Sequence, residues 1–153
     1  MTRCLPPGMP YFTLAEYGLE IVQNNDKLVM FSEWMDAYRR IYLDGRTMPK
    51  DFDISYNGYS TGKWEGDTLV VNTINLRPET VLDRYGSPHS DAMTITERIR
   101  LVDPTTLEDA HVVNDPKAFT KPWEFVHRYR RQAKGNNDEL HENTCTEGLR
   151  LAK

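Results

Sequence analysis

The residues best suited to chemistry lie in one stretch, SPHSDAMTITERIRLVD, which runs from Ser87 to Asp103. Within it, Glu97 falls between Ile95 and Ile99 in an alternating pattern, so a strand would place all three side chains on one face. If that apolar face is internal, Glu97 must either pair with a cation or take up a proton, because an unpaired buried carboxylate is costly. We expect an acid/base residue with Arg40 as its partner, or a structural ion pair. An apolar outer face would instead leave Glu97 exposed.

A histidine and an aspartate lie two residues apart just before this segment, as His89 and Asp91. Histidine transfers protons near neutral pH, and a neighbouring aspartate can fix its tautomer. We therefore predict His89 as an acid/base residue oriented by Asp91, with turn and capping roles as the alternative. Ser90 lacks the GxSxG context of a serine hydrolase. A metal site completed by His111 or His127 has no supporting HxH or HxxxH spacing.

Two further segments carry aromatic stripes that a single polar residue interrupts. Apolar walls with a few placed polar groups are typical of a site for a small organic molecule, and ordinary core packing is the alternative. We expect Arg40 and Tyr42 to hold an anionic oxygen and Trp64 to form a further wall. The predicted pocket residues from the two stripes are Tyr38, Arg40, Tyr42, Trp123, Phe125, His127 and Tyr129.

The elements that must position these residues are strands, because alternation and turn signals recur along the chain while helical periodicity is nearly absent. An up-and-down antiparallel order fits the spacing of the strands, and closure into a barrel removes exposed edges. We predict an all-β, calycin- or lipocalin-like barrel with a central cavity for one small ligand. The pattern predicts about eight strands, at 20–23, 27–34, 37–43, 59–64, 68–76, 93–102, 107–114 and 123–132, with a short strand or loop near 140–145.

Length and composition predict one domain, residues 1–153, with a Pro-rich arm at 1–12 and a polar tail at 133–153. A formal net charge of −4 gives no reason to expect nucleic acid as a partner. We see no apolar run near the roughly 20 residues that span a membrane, and no signal-peptide pattern. We expect a cytoplasmic protein, or a periplasmic or secreted one whose leader has been removed. Cys4 and Cys145 form either one terminal disulfide or two separate thiols.

Seven segments carry a further signal: CLPPGMP, RRIYLDGR, STGKWEGDTLVVNT, LDRYGSPHSD, ITERIRLVD, DPKAFTKPW and the late residues Glu142 to Cys145. Together they resemble a large uncharacterised family of bacterial proteins that is abundant in soil acidobacteria and proteobacteria. The likeness covers nearly the whole chain in order and spacing. It implies that these motifs form one domain, and it implies no particular activity. Many members of that family carry secretion signals.

These observations favour a cofactor-independent enzyme that acts by proton transfer on a small aromatic or anionic molecule. Its reaction class would be a lyase, such as a dehydratase or decarboxylase, or an isomerase. We find no GxGxxG, Walker or CxxCH motif, so we expect no cofactor. A lipocalin-like binding protein without catalysis is the main alternative, and a metal-dependent hydrolase built on His89 and Asp91 is the third. We expect a small-molecule partner, no membrane partner, and leave a homo-oligomer open.

Overall fold

The computed structural model describes residues 5–49, 51–135 and 139–143, and its fold is almost entirely β. The only helical segments in these ranges are a four-residue helix, α1 (Tyr11–Leu14), and a 3₁₀ turn (Trp34–Asp36). The predicted all-β class and the eight strands are confirmed. The strands are β1 (Leu19–Gln23), β2 (Lys27–Ser32), β3 (Tyr38–Tyr42), β4 (Tyr59–Glu65), β5 (Thr68–Ile74), β6 (Thr94–Asp103), β7 (Thr106–Asn114) and β8 (Trp123–Arg130).

All eight strands belong to one sheet, in which neighbours in the chain are neighbours in space. Every pair is antiparallel except β3 and β4, which run parallel and pair only at Ile41 with Ser60 and at Tyr42 with Thr61. The long connection before β4 explains this exception, because a parallel pair needs a crossover and not a tight turn. The sheet curls into a half-barrel, consistent with the lipocalin-like architecture. Within the described residues no ladder joins β1 to β8.

The N-terminal segment is part of the hydrophobic core. Met9 and Phe12 are 0% and 1% exposed, and they belong to the same buried cluster as Met30 and Ile41. Each large apolar side chain removed from water in this way stabilises the fold by about 1.5–3 kcal/mol. The Pro-rich arm predicted from the sequence therefore packs against the strands at its C-terminal end.

The remaining structural predictions concern the termini and the membrane. No helix in the described part of the chain is long and apolar enough to cross a membrane. The predicted pairing or separation of Cys4 and Cys145 lies outside the described residues. Residues 139–143 are described and form no strand, and the rest of the predicted element near 140–145 is also outside the description.

Candidate acid–base site

Glu97 lies in the interior of the half-barrel, fully removed from solvent, on the face of β6 that it shares with Ile95. Its partner is Arg39, whose Nη1 donates to Oε1 at 2.7 Å and whose Nη2 donates to Oε2 at 2.5 Å. The expectation that Arg40 is the partner is wrong, because alternation along β3 points Arg39 inward beside Ile41 and leaves Arg40 exposed. Of the arrangements we had expected, the structure contains the buried ion pair.

The guanidinium of Arg39 is saturated by neighbours on three other strands. Besides Glu97, it donates to Ser60 Oγ at 3.1 Å and to Thr73 Oγ1 at 2.7 Å. Burial by itself would raise the pKa of Glu97, but the charge and hydrogen bonds of Arg39 outweigh it and hold that pKa below the ordinary value. Glu97 is therefore an ionised anchor for Arg39 and not a proton carrier at neutral pH.

Two further titratable residues complete the cluster, and both come from β7. Glu97 faces His111 across the β6–β7 ladder, and Asp109 lies two residues before His111 on the same face. Asp109 and His111 are 0% and 1% exposed. Oδ2 of Asp109 and Nε2 of His111 lie 3.0 Å apart, but their relative orientation is not that of a hydrogen bond. Apart from this ion-pair contact, both carboxylate oxygens and both ring nitrogens lack a hydrogen-bond partner among the described residues.

The charges of this cluster require one proton. Arg39 contributes one positive charge, and Glu97 and Asp109 would contribute one negative charge each. Burial first, and then the charge of Glu97, raise the pKa of Asp109 above its ordinary value. One proton on Asp109 neutralises the group, in line with the direction in which its pKa moves.

The aromatic stripe of β8 borders the same pair from the other side. Trp123, Phe125, His127 and Tyr129 alternate with exposed residues and face inward, as the sequence pattern indicates. Phe125 stacks on the His111 ring, with centroids 4.4 Å apart and planes 12° from parallel. Burial, and then the charge of His111, lower the pKa of His127.

The hydroxyl of Tyr129 ties this stripe to the N-terminal segment, because it donates a hydrogen bond to the carbonyl oxygen of Thr13. Thr13 is fully buried and lies in α1. Burial, and then the negative charges of Asp109 and Glu97, raise the pKa of Tyr129, so its hydroxyl remains protonated. This hydrogen bond therefore joins β8 to α1.

The predicted pairing of His89 with Asp91 is wrong. Nδ1 of His89 donates to the carbonyl oxygen of Ser90 at 2.9 Å, and Nε2 lies 2.7 Å from Thr80 Oγ1. Asp91 points outward and pairs with Lys117 at 2.6 Å, with both side chains more than 60% exposed. Side chains two residues apart in an irregular loop can point in opposite directions, and here His89 is buried while Asp91 is exposed. The pair therefore does not offer the predicted control of the His89 tautomer, and it does not bring the two side chains together as the metal-dependent alternative requires.

The remaining predicted pocket residues lie away from Glu97. Tyr38, Arg40 and Tyr42 line an open groove of about 420 Å³ beside β3. Trp64 is 46% exposed near the end of β4. The two predicted stripes therefore belong to different places: the β8 stripe faces the buried cluster, and the β3 stripe faces the groove.

The sequence analysis missed Arg39 and Asp109 and considered His111 only for a metal site, although the same alternation argument could have placed all three side chains on inward faces. Asp109 and His111 occupy the positions of β7 that share a face with Val113, which is fully buried. An acid and a histidine at inward positions of one strand are the same signal that singled out Glu97. The loop before β6 was chosen instead, because the short sequence spacing of His89 and Asp91 suggested an acid/base pair.

A metal ion is the other species that these residues could hold. One ligand atom each from Glu97, Asp109 and His111 lies within 4.8 Å of the others. Both oxygens of Glu97 are already bonded to Arg39, however, and the positive charge of that guanidinium opposes a second cation. A proton therefore fits the site better than a metal does.

Chemically, the site can keep one exchangeable proton next to an aromatic wall and away from water. Comparisons with known protein families, with curated proteins and with solved structures find no match to this chain. The function proposed below is therefore argued from the geometry of the site alone.

Proposed function

We propose that this protein is a cofactor-independent enzyme that transfers a proton to or from a small, flat or anionic organic molecule, as a lyase or an isomerase. The observation that supports this is the Asp109–His111 pair, whose four polar side-chain atoms are buried without hydrogen-bond partners. Native proteins rarely leave such atoms unpaired, and where they do a functional role is a frequent explanation. A raised carboxyl pKa brings a base toward the working pH of the cell.

The roles within the site follow from the contacts. Asp109 takes or gives the proton, and His111 next to it is the second carrier of that proton. Burial raises the pKa of Asp109, and the negative charge of Glu97, which Arg39 holds in place, raises it further. Phe125 stacks on His111 and supplies, with Trp123, the apolar wall for a flat substrate. The predicted catalytic assignment to His89 and Asp91 is replaced by this pair, while Glu97 keeps a place as a positioning residue.

A binding protein of the lipocalin-like type, with no chemistry, is the second candidate. The open groove beside β3 favours it, because that groove is accessible and carries no titratable pair. The two candidates differ in one respect that can be measured. An enzyme of the proposed kind must turn over a carbon acid by means of Asp109, whereas a carrier must not.

Ring opening of 5-nitrobenzisoxazole tests the proposal directly, because it needs only a base in an apolar site. The base removes the proton on the ring carbon, the ring N–O bond breaks, and the coloured product is 2-cyano-4-nitrophenolate. We expect the protein to catalyse this reaction, and Asp109→Asn to lower the rate by about 10²–10⁴-fold, the usual contribution of a general base. The wild-type rate should survive incubation with EDTA.

Asp91→Asn is the matched control, because it neutralises an exposed aspartate outside the cluster. Circular dichroism on each variant separates loss of chemistry from loss of fold. The proposal fails if the wild type does not exceed the rate of an unrelated folded protein, or if Asp109→Asn and Asp91→Asn react alike. Loss of activity in EDTA, restored by zinc, would instead support the metal-dependent alternative.

A further inference from the structure

We infer that the groove beside β3 is a second ligand site, which binds a flat aromatic molecule carrying one anionic group. This site is separate from the proton-transfer pair and does not depend on it. Arg39 and Ser60 form part of its lining, and their polar groups are already bonded to Glu97 and Thr73 on the inner side. A ligand in the groove therefore meets aromatic walls and the exposed face of β3, and leaves Asp109 and His111 untouched.

The groove exists because β3 and β4 pair over only two residues. Before Ile41 and Ser60 the strands diverge, and the connection that leads into β4 forms the opposite wall. Asn57 holds the two walls at a fixed separation, because its Nδ2 donates to the carbonyl oxygen of Tyr38 at 2.8 Å. The resulting space of about 420 Å³ falls within the usual range for small-molecule sites, roughly 300–1,000 Å³.

Aromatic rings dominate the walls of this groove. Tyr42 stacks on Tyr59 with centroids 5.2 Å apart, and Phe52 meets the same Tyr59 ring edge-on at 4.7 Å. Tyr38 and Phe52 are 50% and 39% exposed, so large apolar surface faces the open space. The guanidinium of Arg46 lies 3.9 Å from the centre of the Tyr42 ring, so the exposed rings of Tyr38 and Phe52 are the ones available to stack a planar ligand.

The charge of the groove favours an anion over a cation. Arg40 lies 4.9 Å from the centre of the Tyr38 ring, and among the described residues no carboxylate lies within ion-pairing distance of it. The carboxylate in the described lining is Asp36, whose Oδ1 already accepts a hydrogen bond from the backbone of Asn143. An unpaired guanidinium beside aromatic rings presents both a face for stacking and donors for a carboxylate or sulfonate.

Two fluorescent probes with the same rings test this inference. One is 1-anilinonaphthalene-8-sulfonate, which is anionic, and the other is N-phenyl-1-naphthylamine, which lacks the sulfonate. We expect both to bind, and Tyr42→Ala to weaken both by about tenfold, because Tyr42 lines the groove and its ring holds Tyr59 in place by stacking. Arg40→Gln should weaken the anionic probe by about fivefold, as expected for a partly exposed ion pair, and leave the neutral probe unchanged.

Arg130→Gln and Tyr85→Ala are the matched controls, since they remove an exposed cation and an exposed aromatic ring elsewhere. Neither should change the affinity for either probe. The site is refuted if neither probe binds, or if Tyr42→Ala binds both as tightly as Tyr85→Ala does. If Arg40→Gln lowered the affinity for both probes equally, the inference that the groove selects an anionic group would be refuted. The ring-opening rate of Tyr42→Ala should match that of the wild type whether or not Asp109 proves to be the base.

Discussion

Replacement of Glu97 by glutamine isolates the central electrostatic feature of this protein. The substitution keeps the shape of the side chain and removes its charge. Arg39 then remains 1% exposed with no carboxylate bonded to it, while its contacts to Ser60 and Thr73 survive. Removing one partner of a buried ion pair typically costs about 3–5 kcal/mol, because the other charge stays buried and uncompensated. In a domain of this size that loss corresponds to a drop in Tm of roughly 6–20 °C.

Urea unfolding followed by circular dichroism measures this loss, with an unchanged m-value as the sign that the unfolding transition itself is the same. The double variant Arg39→Met, Glu97→Leu should recover most of the stability, because well-packed apolar residues can replace a buried ion pair at little cost. Ser60 and Thr73 can then bond to each other, as their hydroxyls already lie 2.9 Å apart.

The control for this prediction is Glu65→Gln, which removes the acid of an ion pair with Arg98 whose side chains are 50% and 54% exposed. That change should cost less than about 1 kcal/mol. Our reasoning about Arg39 is refuted if Glu97→Gln is no more destabilising than Glu65→Gln. It is also refuted if the double variant is less stable than Glu97→Gln alone.

Three further predictions follow from the same contacts. The folded-state pKa of Asp109 lies above its ordinary 3.8, so its stabilising contribution is full below pH 3.8 and is lost as pH rises through the folded-state pKa. Asp109→Asn should remove this slope from a plot of unfolding free energy against pH, and parallel plots for the variant and the wild type would contradict the assignment. Phe125→Ala should cost about 2–3 kcal/mol in urea unfolding, since Phe125 stacks on His111 and is partly buried; a loss below about 1 kcal/mol would speak against that packing. Tyr129→Phe should cost about 1–2 kcal/mol by leaving the Thr13 carbonyl unpaired, and a neutral result in thermal unfolding would show that water replaces the hydroxyl.

The sequence by itself determined the strands and the direction of most side chains within them. Strict alternation has only two phases, so Glu97 had to share a face with the isoleucines on either side of it, and the structure shows that this face is the buried one. The same alternation correctly predicted that the aromatic side chains of β8 share the inward face of the strand. These are local properties of an extended chain, and the hydrophobic pattern carries them without any knowledge of neighbours.

Only the tertiary structure decided which charged groups meet. Arg39 and Glu97 lie 58 residues apart, and their contact depends on the curl of the sheet across β4 and β5. Arg39 and Arg40 are adjacent and look equivalent in the sequence, yet the pleat of β3 points Arg39 into the core and Arg40 toward solvent. We expected His89 and Asp91 to meet because they are close in the sequence, but in a loop that closeness does not fix the direction of the side chains. Side-chain partners across a sheet depend on register and curvature, and those are set by the packing of the whole chain.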